Sequence, residues 1–355
     1  MLREYISFDL VTTDISCFPK KYSGRILIMF LGIETSCDET SIAVIDEDYN
    51  ILSNIVSSQE EIHKEFGGVF PEFAARAHIE RILPVFNEAI KTAGITKGHL
   101  KAVGATCGPG LIGSLLVGLS FAKALSYSLS IPFFGINHLE AHLSIPLLTK
   151  TEIIFPAIGL LVSGGHTELF YIEKWGAGKS IARTLDDAAG EAFDKVARLL
   201  GLGWPGGPEI ERIAKTGDAK AIRFSIPKIK SGRLDFSFSG LKTAVYYQLK
   251  EEGRKEDIAA SFSEAVVSHL LINTAKAVAE TGAKSIIAGG GVVANNRLRE
   301  ELSHLAKEKG LILYLPEKKL CTDNGAMVCA NLLFKMKKGD LPSSFDIPPF
   351  SKVVT

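Results

Sequence analysis

Two histidines are spaced to share a metal ion. Asn-His-Leu-Glu-Ala-His fills 137–142. On a helix His138 and His142 lie on one face about one turn apart, which suits a single ion. The alternative is a structural pair of satisfied imidazoles. A third ligand must come from elsewhere, and Asp323 in Cys-Thr-Asp-Asn-Gly-Ala (321–326) is a candidate. Its plainer reading, with Thr322, is a helix N-cap. A metallopeptidase of the H-E-x-x-H type is disfavoured. Glu140 sits two residues after His138, off the histidine face, whereas the base of such a site must be adjacent.

Other stretches concentrate polar groups or glycines. Glu34-Thr-Ser-Cys-Asp38-Glu-Thr40 packs three carboxylates and three hydroxyls into one turn. Such a loop can face phosphates, a metal-bound substrate or an attacking amine, and spacing does not say which carboxylate acts. Ser163-Gly164-Gly165-His166-Thr167 is either a hairpin turn or an anion nest of successive N–H groups. Gly289-Gly290-Gly291 precedes Asn295 and opens a helix, so close approach of a ligand is expected there. Asn295 either touches that ligand or caps the helix. Gly108-Pro-Gly110-Leu-Ile-Gly113 matches the dinucleotide fingerprint only formally, because no acid follows about 20 residues later. Asp187, Glu191 and Asp194 line one helix face, and Glu211 follows the turn Trp204–Pro208. Residues 212–242 hold eight Lys/Arg against two Asp, interleaved with Phe224, Phe236 and Phe238. That pattern fits RNA backbone contact with base stacking, or equally a solvated basic surface.

Strand, turn and helix signals alternate along the chain and indicate an α/β class. Strands are expected at 29–35, 40–46, 51–58, 101–107, 133–136, on both sides of the 163–167 turn, and at 285–290. Helices are expected at 71–93, 111–125, around the His pair, and at 187–200, 208–216, 239–251, 256–281, 294–309 and 323–338. Each half opens with strand, polar turn and strand: GIETSCDETSIAV, then LLVSGGHTELFYI. This is a weak repeat by identity and a stronger one as architecture. The expected division is an extension at 1–28, one lobe at 29–154 and a second at 155–324. The tail at 325–355 is expected to cross back to the first lobe.

At 355 residues, 46% hydrophobic and 23% charged, the chain is long and apolar enough for two cored domains. Disorder and collagen are excluded. Lys+Arg and Asp+Glu are 40 each, so bulk charge announces no nucleic-acid binder, although a local patch can serve. The five cysteines include no C-x-x-C pair, which points to a reducing compartment and away from a disulfide framework. No uninterrupted apolar run approaches the roughly 18 residues of a membrane span. Residues 1–28 suit neither a signal nor a transit peptide. They are expected to be poorly ordered, or the true start is Met29.

Together, GIETSCDETS, NHLEAH, LVSGGHT, DDAAGEAFDK, PGGP, GGGVVANN and CTDN resemble, in order, the tRNA N6-adenosine threonylcarbamoyltransferase family (bacterial TsaD, formerly the glycoproteases). The resemblance covers about residues 29–340. It implies a two-lobed α/β fold of the actin, sugar-kinase and heat-shock-chaperone (ASKHA) type, with duplicated lobes around a nucleotide cleft. It implies transfer of a threonylcarbamoyl group from threonylcarbamoyl-adenylate to the exocyclic amine of the adenosine 3′ of the anticodon in ANN-decoding tRNAs, with release of AMP. It implies one divalent metal ion per subunit, iron first with zinc as the alternative, held by His138, His142 and Asp323. Leu161, Val162, Ser163, Gly164, Gly165, Asp194, Gly207, Glu211 and Asn295 would hold the adenylate. Glu34 or Asp38 would orient the attacking amine. The family further implies a cytoplasmic setting without a membrane, a shorter paralogue of the TsaB type and a small ATPase of the TsaE type. Helix 71–93, with Arg76, His78 and Arg81, is the candidate docking surface, against core packing as the alternative. A small-molecule kinase of the same fold and a silent scaffold are the competing functions.

Overall fold

The computed structural model describes residues 11–12, 28–227, 229, 234–251 and 253–352. The expected disorder of the N-terminal extension lies outside these residues, apart from Val11–Thr12. The chain divides into two compact units. One runs to Lys150 and resumes at Asp323, and the other is Thr151–Thr322. Asp323, placed by the sequence reading at the end of the second lobe, therefore belongs to the unit of the His pair.

The first unit contains β1 (Val11–Thr12), β2 (Met29–Glu34), β3 (Glu39–Asp46), β4 (Ile51–Ser58), β5 (Leu100–Gly108) and β6 (Phe133–Asn137). Its helices are α1 (Glu60–Lys64), α2 (Pro71–Thr92), α3 (Ile112–Leu129) and α4 (His138–Leu143). The second unit contains β7 (Ala157–Val162), β8 (Thr167–Ile172), β9 (Gly178–Arg183), β10 (Ser285–Gly289) and β11 (Ile312–Tyr314). Its helices are α5 (Ala189–Leu200), α6 (Gly206–Ala214), α7 (Ser239–Gln248), α8 (Lys255–Thr281) and α9 (Asn296–Lys309). The chain returns to the first unit with α10 (Gly325–Lys338).

Strand order in the first sheet is β1-β4-β3-β2-β5-β6, and in the second β11-β10-β7-β8-β9. In each, three successive strands form an antiparallel meander, and the first of them pairs in parallel with a later strand. The repeat is thus a repeat of topology. β2 is buried at every position, as a strand covered on both faces must be. Gly32 and Gly325 let α10 approach it closely. Pro71 starts α2 at a position whose N–H needs no partner. Gly201, Gly282, Gly310 and Gly339 end their helices in the left-handed region.

By length and composition α3 and α8 reach the apolarity of a membrane-crossing helix. A search for uninterrupted apolar runs misses them because Ser, Lys and Glu break the runs. α8 is mostly buried in the core of its unit, and α3 packs on α2 and β5.

Two core histidines set a pH limit on the fold. His78 on α2 donates from Nε2 to the Cys37 carbonyl and accepts from the Thr40 hydroxyl at Nδ1, so it is neutral. It is therefore a packed residue and is removed from the docking face proposed for this helix. His269 on α8 accepts from the Ser237 N–H, and its buried Nδ1 has no partner. Burial holds both pKa values down at about 4. Their unfolded pKa lies near 6.5, so between these values the unfolded chain binds more protons. The contribution of these two histidines is complete above pH 6.5 and falls as pH drops towards 4. The loss is at most about 1.4 kcal/mol per unit for each histidine. Urea melts at pH 7 and pH 5 should show this drop, and His269→Leu should make it shallower.

Candidate active site

The ends of β2, β5 and β6, with the entry to α10, bring the polar residues of the first unit together. Asn137 caps α4, accepting from the N–H groups of Leu139 and Glu140, and so starts the helix directly at His138. The rings of His138 and His142 stand 4.7 Å apart at 78°. Asn324, rather than Thr322 or Asp323, caps α10. Asp323 is thereby left to face the histidines. Its Oδ1 lies 3.0 Å from His142 Nε2 and 3.7 Å from His138 Nε2.

These three side chains fit a divalent ion. Their ligand atoms lie within 4.8 Å of one another. His142 is fully buried and its Nδ1 has no hydrogen-bond partner. Two imidazole nitrogens and one carboxylate suit iron or zinc and leave further positions for substrate or water. Burial opposes the His138 imidazolium, but Asp323 and Glu34 outweigh it and push its pKa up to about 9. Burial also works against the Asp323 carboxylate, yet the two histidines hold it well below the usual range.

Glu34 is completely buried. Its carboxylate accepts from His138 Nδ1 at 3.2 Å, from the Thr106 hydroxyl at 2.6 Å and from the Ser36 N–H at 2.6 Å. Both oxygens are therefore engaged within the protein. A carboxylate behind a ligating histidine fixes its tautomer and orientation. Ser36 Oγ lies 3.3 Å from His138 Nδ1 and donates to Asp323 Oδ2 at 3.4 Å. Asp38 is less enclosed and is hydrogen-bonded to Cys37 and Glu39. Burial, reinforced by Asp323, raises its carboxyl, and burial with Asp38 and Asp323 raises Glu39 further. Two acids so placed favour sharing a proton.

In the second unit, Ser163–Gly165 form the turn between β7 and β8. The His166 N–H donates to Ser163 Oγ, and the Ser163 N–H donates to the His166 carbonyl. Leu161 and Val162 are wholly buried at the end of β7, where Leu161 is paired with both β8 and β10, so the exposed part of this segment begins at Ser163. Gly190, at the start of α5, meets this turn. A Cβ there would lie 2.6 Å from the Ser163 carbonyl oxygen and 2.7 Å from Gly164 Cα. By contrast, a Cβ at Gly164, Gly165 or Gly207 would meet nothing within 4 Å.

Asp194 accepts from the Gly206 N–H and ties α5 to α6. Glu211 accepts from the Asn296 backbone and amide N–H groups. Asn295 caps α9 through its Oδ1. Asp187 and Glu191 are both paired with Lys195, which gives the acidic face of α5 a structural account.

Two of the three expected aromatic readers of the basic stretch do not face solvent. Phe236 and Phe238 are fully buried, stacked beside His269, and Phe224 packs on the same core. Base stacking by Phe236 and Phe238 is excluded. Lys228, Lys230 and Arg233 lie outside the described residues.

Sequence reasoning missed Thr106, which holds Glu34, and the positioning roles of Ser36 and Gly190. Ser36 was visible inside the acidic loop. Thr106 carried no signal, because nothing in a buried strand says which neighbour a hydroxyl will meet.

A meander-plus-parallel sheet occurring twice, with a His-His-Asp cluster in one copy, defines an ASKHA-type α/β protein bearing a candidate metal centre. Solved structures share this fold at low identity. HypF in its phosphate- and nucleotide-bound form aligns with a TM-score of 0.61 at 15% identity, covering 89% of this chain and 56% of that one. Component A of the (R)-2-hydroxyglutaryl-CoA dehydratase of Acidaminococcus fermentans gives 0.54 at 15%, covering 87% and 99%.

The chain belongs to the tRNA N6-adenosine threonylcarbamoyltransferase (TsaD) family, whose model matches residues 50–330. A transferase of that name from Caldicellulosiruptor saccharolyticus is 48% identical over 335 residues, covering 92% of this chain and 99% of its own. One from Kosmotoga olearia is 49% identical over 328 residues, with the same coverage. The protein is accordingly a tRNA-modifying transferase.

Proposed function

We propose that the protein transfers a threonylcarbamoyl group from threonylcarbamoyl-adenylate to the exocyclic amine of the adenosine 3′ of the anticodon. The new bond joins the adenosine N6 to the carbamoyl carbon. The bond from that carbon to the adenylate phosphate oxygen breaks, its electron pair leaves with AMP, and the amine loses one proton. The observation that carries this reading is the convergence of His138, His142 and Asp323 on one point.

A bound ion there would supply Lewis-acid polarisation of the carbamoyl–phosphate group. His138, His142 and Asp323 would hold it. Glu34, enclosed and triply bonded, holds the His138 ring and is out of reach of an amine. Asp38 remains the candidate for orienting the amine, with Glu39 sharing its proton. The Ser163–Gly165 turn offers backbone N–H groups to the adenylate phosphate. Open space over Gly164 and Gly207 admits the nucleotide, and Asp194, Glu211 and Asn295 brace that surface. The setting is cytoplasmic, and the reaction runs with a TsaB-type paralogue and a TsaE-type ATPase. The exposed side chains of α2, among them Arg76, Ile79 and Leu83, are the docking candidates.

The test is single-turnover transfer from preformed threonylcarbamoyl-adenylate to unmodified tRNA, with modified nucleoside and AMP measured together. Their appearance in equal amounts supports the donor. AMP without modified nucleoside, or product only with a different donor, overturns it. In this assay Asp38→Asn should slow transfer by about 10²-fold with metal content unchanged. Glu34→Gln should instead weaken metal retention by about 10-fold or more.

A further inference from the structure

We propose that Phe350, at the end of the C-terminal tail, is a positioning residue for the candidate metal ligands. The inference rests on the His138–His142–Asp323 reading of the centre. After α10 the tail lies along the edge of the first sheet at β6. The Ser343 N–H donates to the Phe133 carbonyl, and its hydroxyl accepts from the Gly135 N–H. Lys123 donates to the Ile347 carbonyl at 2.7 Å. Pro348 and Pro349 then stiffen the two residues before Phe350. Ile347 and Phe350 both pack on the core of this unit.

Phe350 meets the end of β5. Its N–H donates to the Cys107 carbonyl at 3.0 Å. Gly108 has φ +145, and a Cβ there would collide with the Phe350 carbonyl and come within 2.9 Å of its ring. The notch at Gly108 is thus shaped to the Phe350 backbone and ring.

Two routes run from this contact to the metal ligands. Thr106, one residue before Cys107, donates to Glu34, which accepts from His138. On the other side, Gly110 packs so closely on Ser36 that a Cβ would lie 2.6 Å from the Ser36 carbonyl oxygen. The Leu111 N–H donates to that same carbonyl at 2.8 Å. Ser36 in turn touches His138 and Asp323. Phe350 therefore clamps the strand end from which both supports of His138 are set, without itself reaching the centre.

The test compares metal affinity among purified full-length variants, by titrating metal-free protein with zinc and following chelator competition. Phe350→Ala should bind zinc about 10-fold more weakly, the scale expected for loss of an outer support. Phe350→Leu, which refills the notch, should stay within about twofold of wild type. Phe345→Ala is the stability control. Its ring packs on Phe133 and Tyr127, away from Gly108. It should lower Tm without changing affinity. If Phe350→Ala binds zinc as wild type does, the proposal is overturned. The same holds if Phe345→Ala weakens binding equally, because the tail then acts through general stability. His142→Ala in the same titration separates the two readings: unchanged zinc binding there would remove the metal centre itself, and with it this inference.

Discussion

His142→Ala is expected to lose bound metal and to lower transfer to tRNA by about 10³-fold. A Lewis acid at a carbonyl is worth several kcal/mol of transition-state stabilisation, and each 1.4 kcal/mol is about a factor of ten. His142 is the cleaner choice of the two histidines. Removing His138 would take a hydrogen-bond partner from the fully buried Glu34 carboxylate, which costs about 1–3 kcal/mol of stability and confounds the assay. His142→Ala leaves the His138–Glu34 pair in place and deletes one ligand. The measurement is metal per chain by elemental analysis, alongside single-turnover product from preformed adenylate. Loss of both supports a catalytic metal. Loss of metal with product unchanged would make the ion structural, and retention of both would move it elsewhere.

The candidate metal ligands show what a sequence can and cannot disclose. The His pair was legible because a helix converts i, i+4 spacing into a shared face. Asp323 lies 181 residues beyond His142 in the chain, and no local rule connects them. The local rule that did apply, an N-cap, pointed the wrong way, since Asn324 takes that role and frees its neighbour. The same limit explains the basic stretch. Alternating bases and phenylalanines read equally well as RNA contact or as a solvated basic surface, and neither reading expected the rings in the core. Only the packing of Phe236 and Phe238 around His269 places them there. Strands β9 and β11 escaped notice for a third reason. β9 is an exposed, charged edge strand and β11 has three residues, so neither carries a run of buried positions. The duplicated architecture was legible because two antiparallel strands joined by a short polar turn leave a pattern that a single sequence can show twice.

Gly207→Val is expected to weaken binding of AMP about 30-fold while leaving Tm within about 2 °C of wild type, on the view that bulk placed in a ligand's space costs binding and touches no protein atom. Gly207, at the start of α6, and Gly190, which meets the Ser163–Gly165 turn, make opposite predictions because their surroundings differ. At Gly207 an added Cβ meets nothing within 4 Å, so the protein has no packing reason for glycine at that place. Helix propensity alone would favour a side chain there by up to about 1 kcal/mol over glycine. At Gly190 the added Cβ runs into the Ser163 carbonyl and Gly164 Cα. Gly190→Ala should therefore destabilise the protein by about 1–3 kcal/mol through overpacking. It should weaken AMP binding too, but only together with a fall in Tm. Isothermal titration with AMP, paired with thermal melts, reads both quantities on the same samples. Normal AMP affinity in Gly207→Val would show that the nucleotide does not cross the start of α6, and the open space there would need another occupant. A Gly207→Val protein that is folded, fully metallated and blind to AMP would place the adenylate over this helix start, independently of the chemistry that follows.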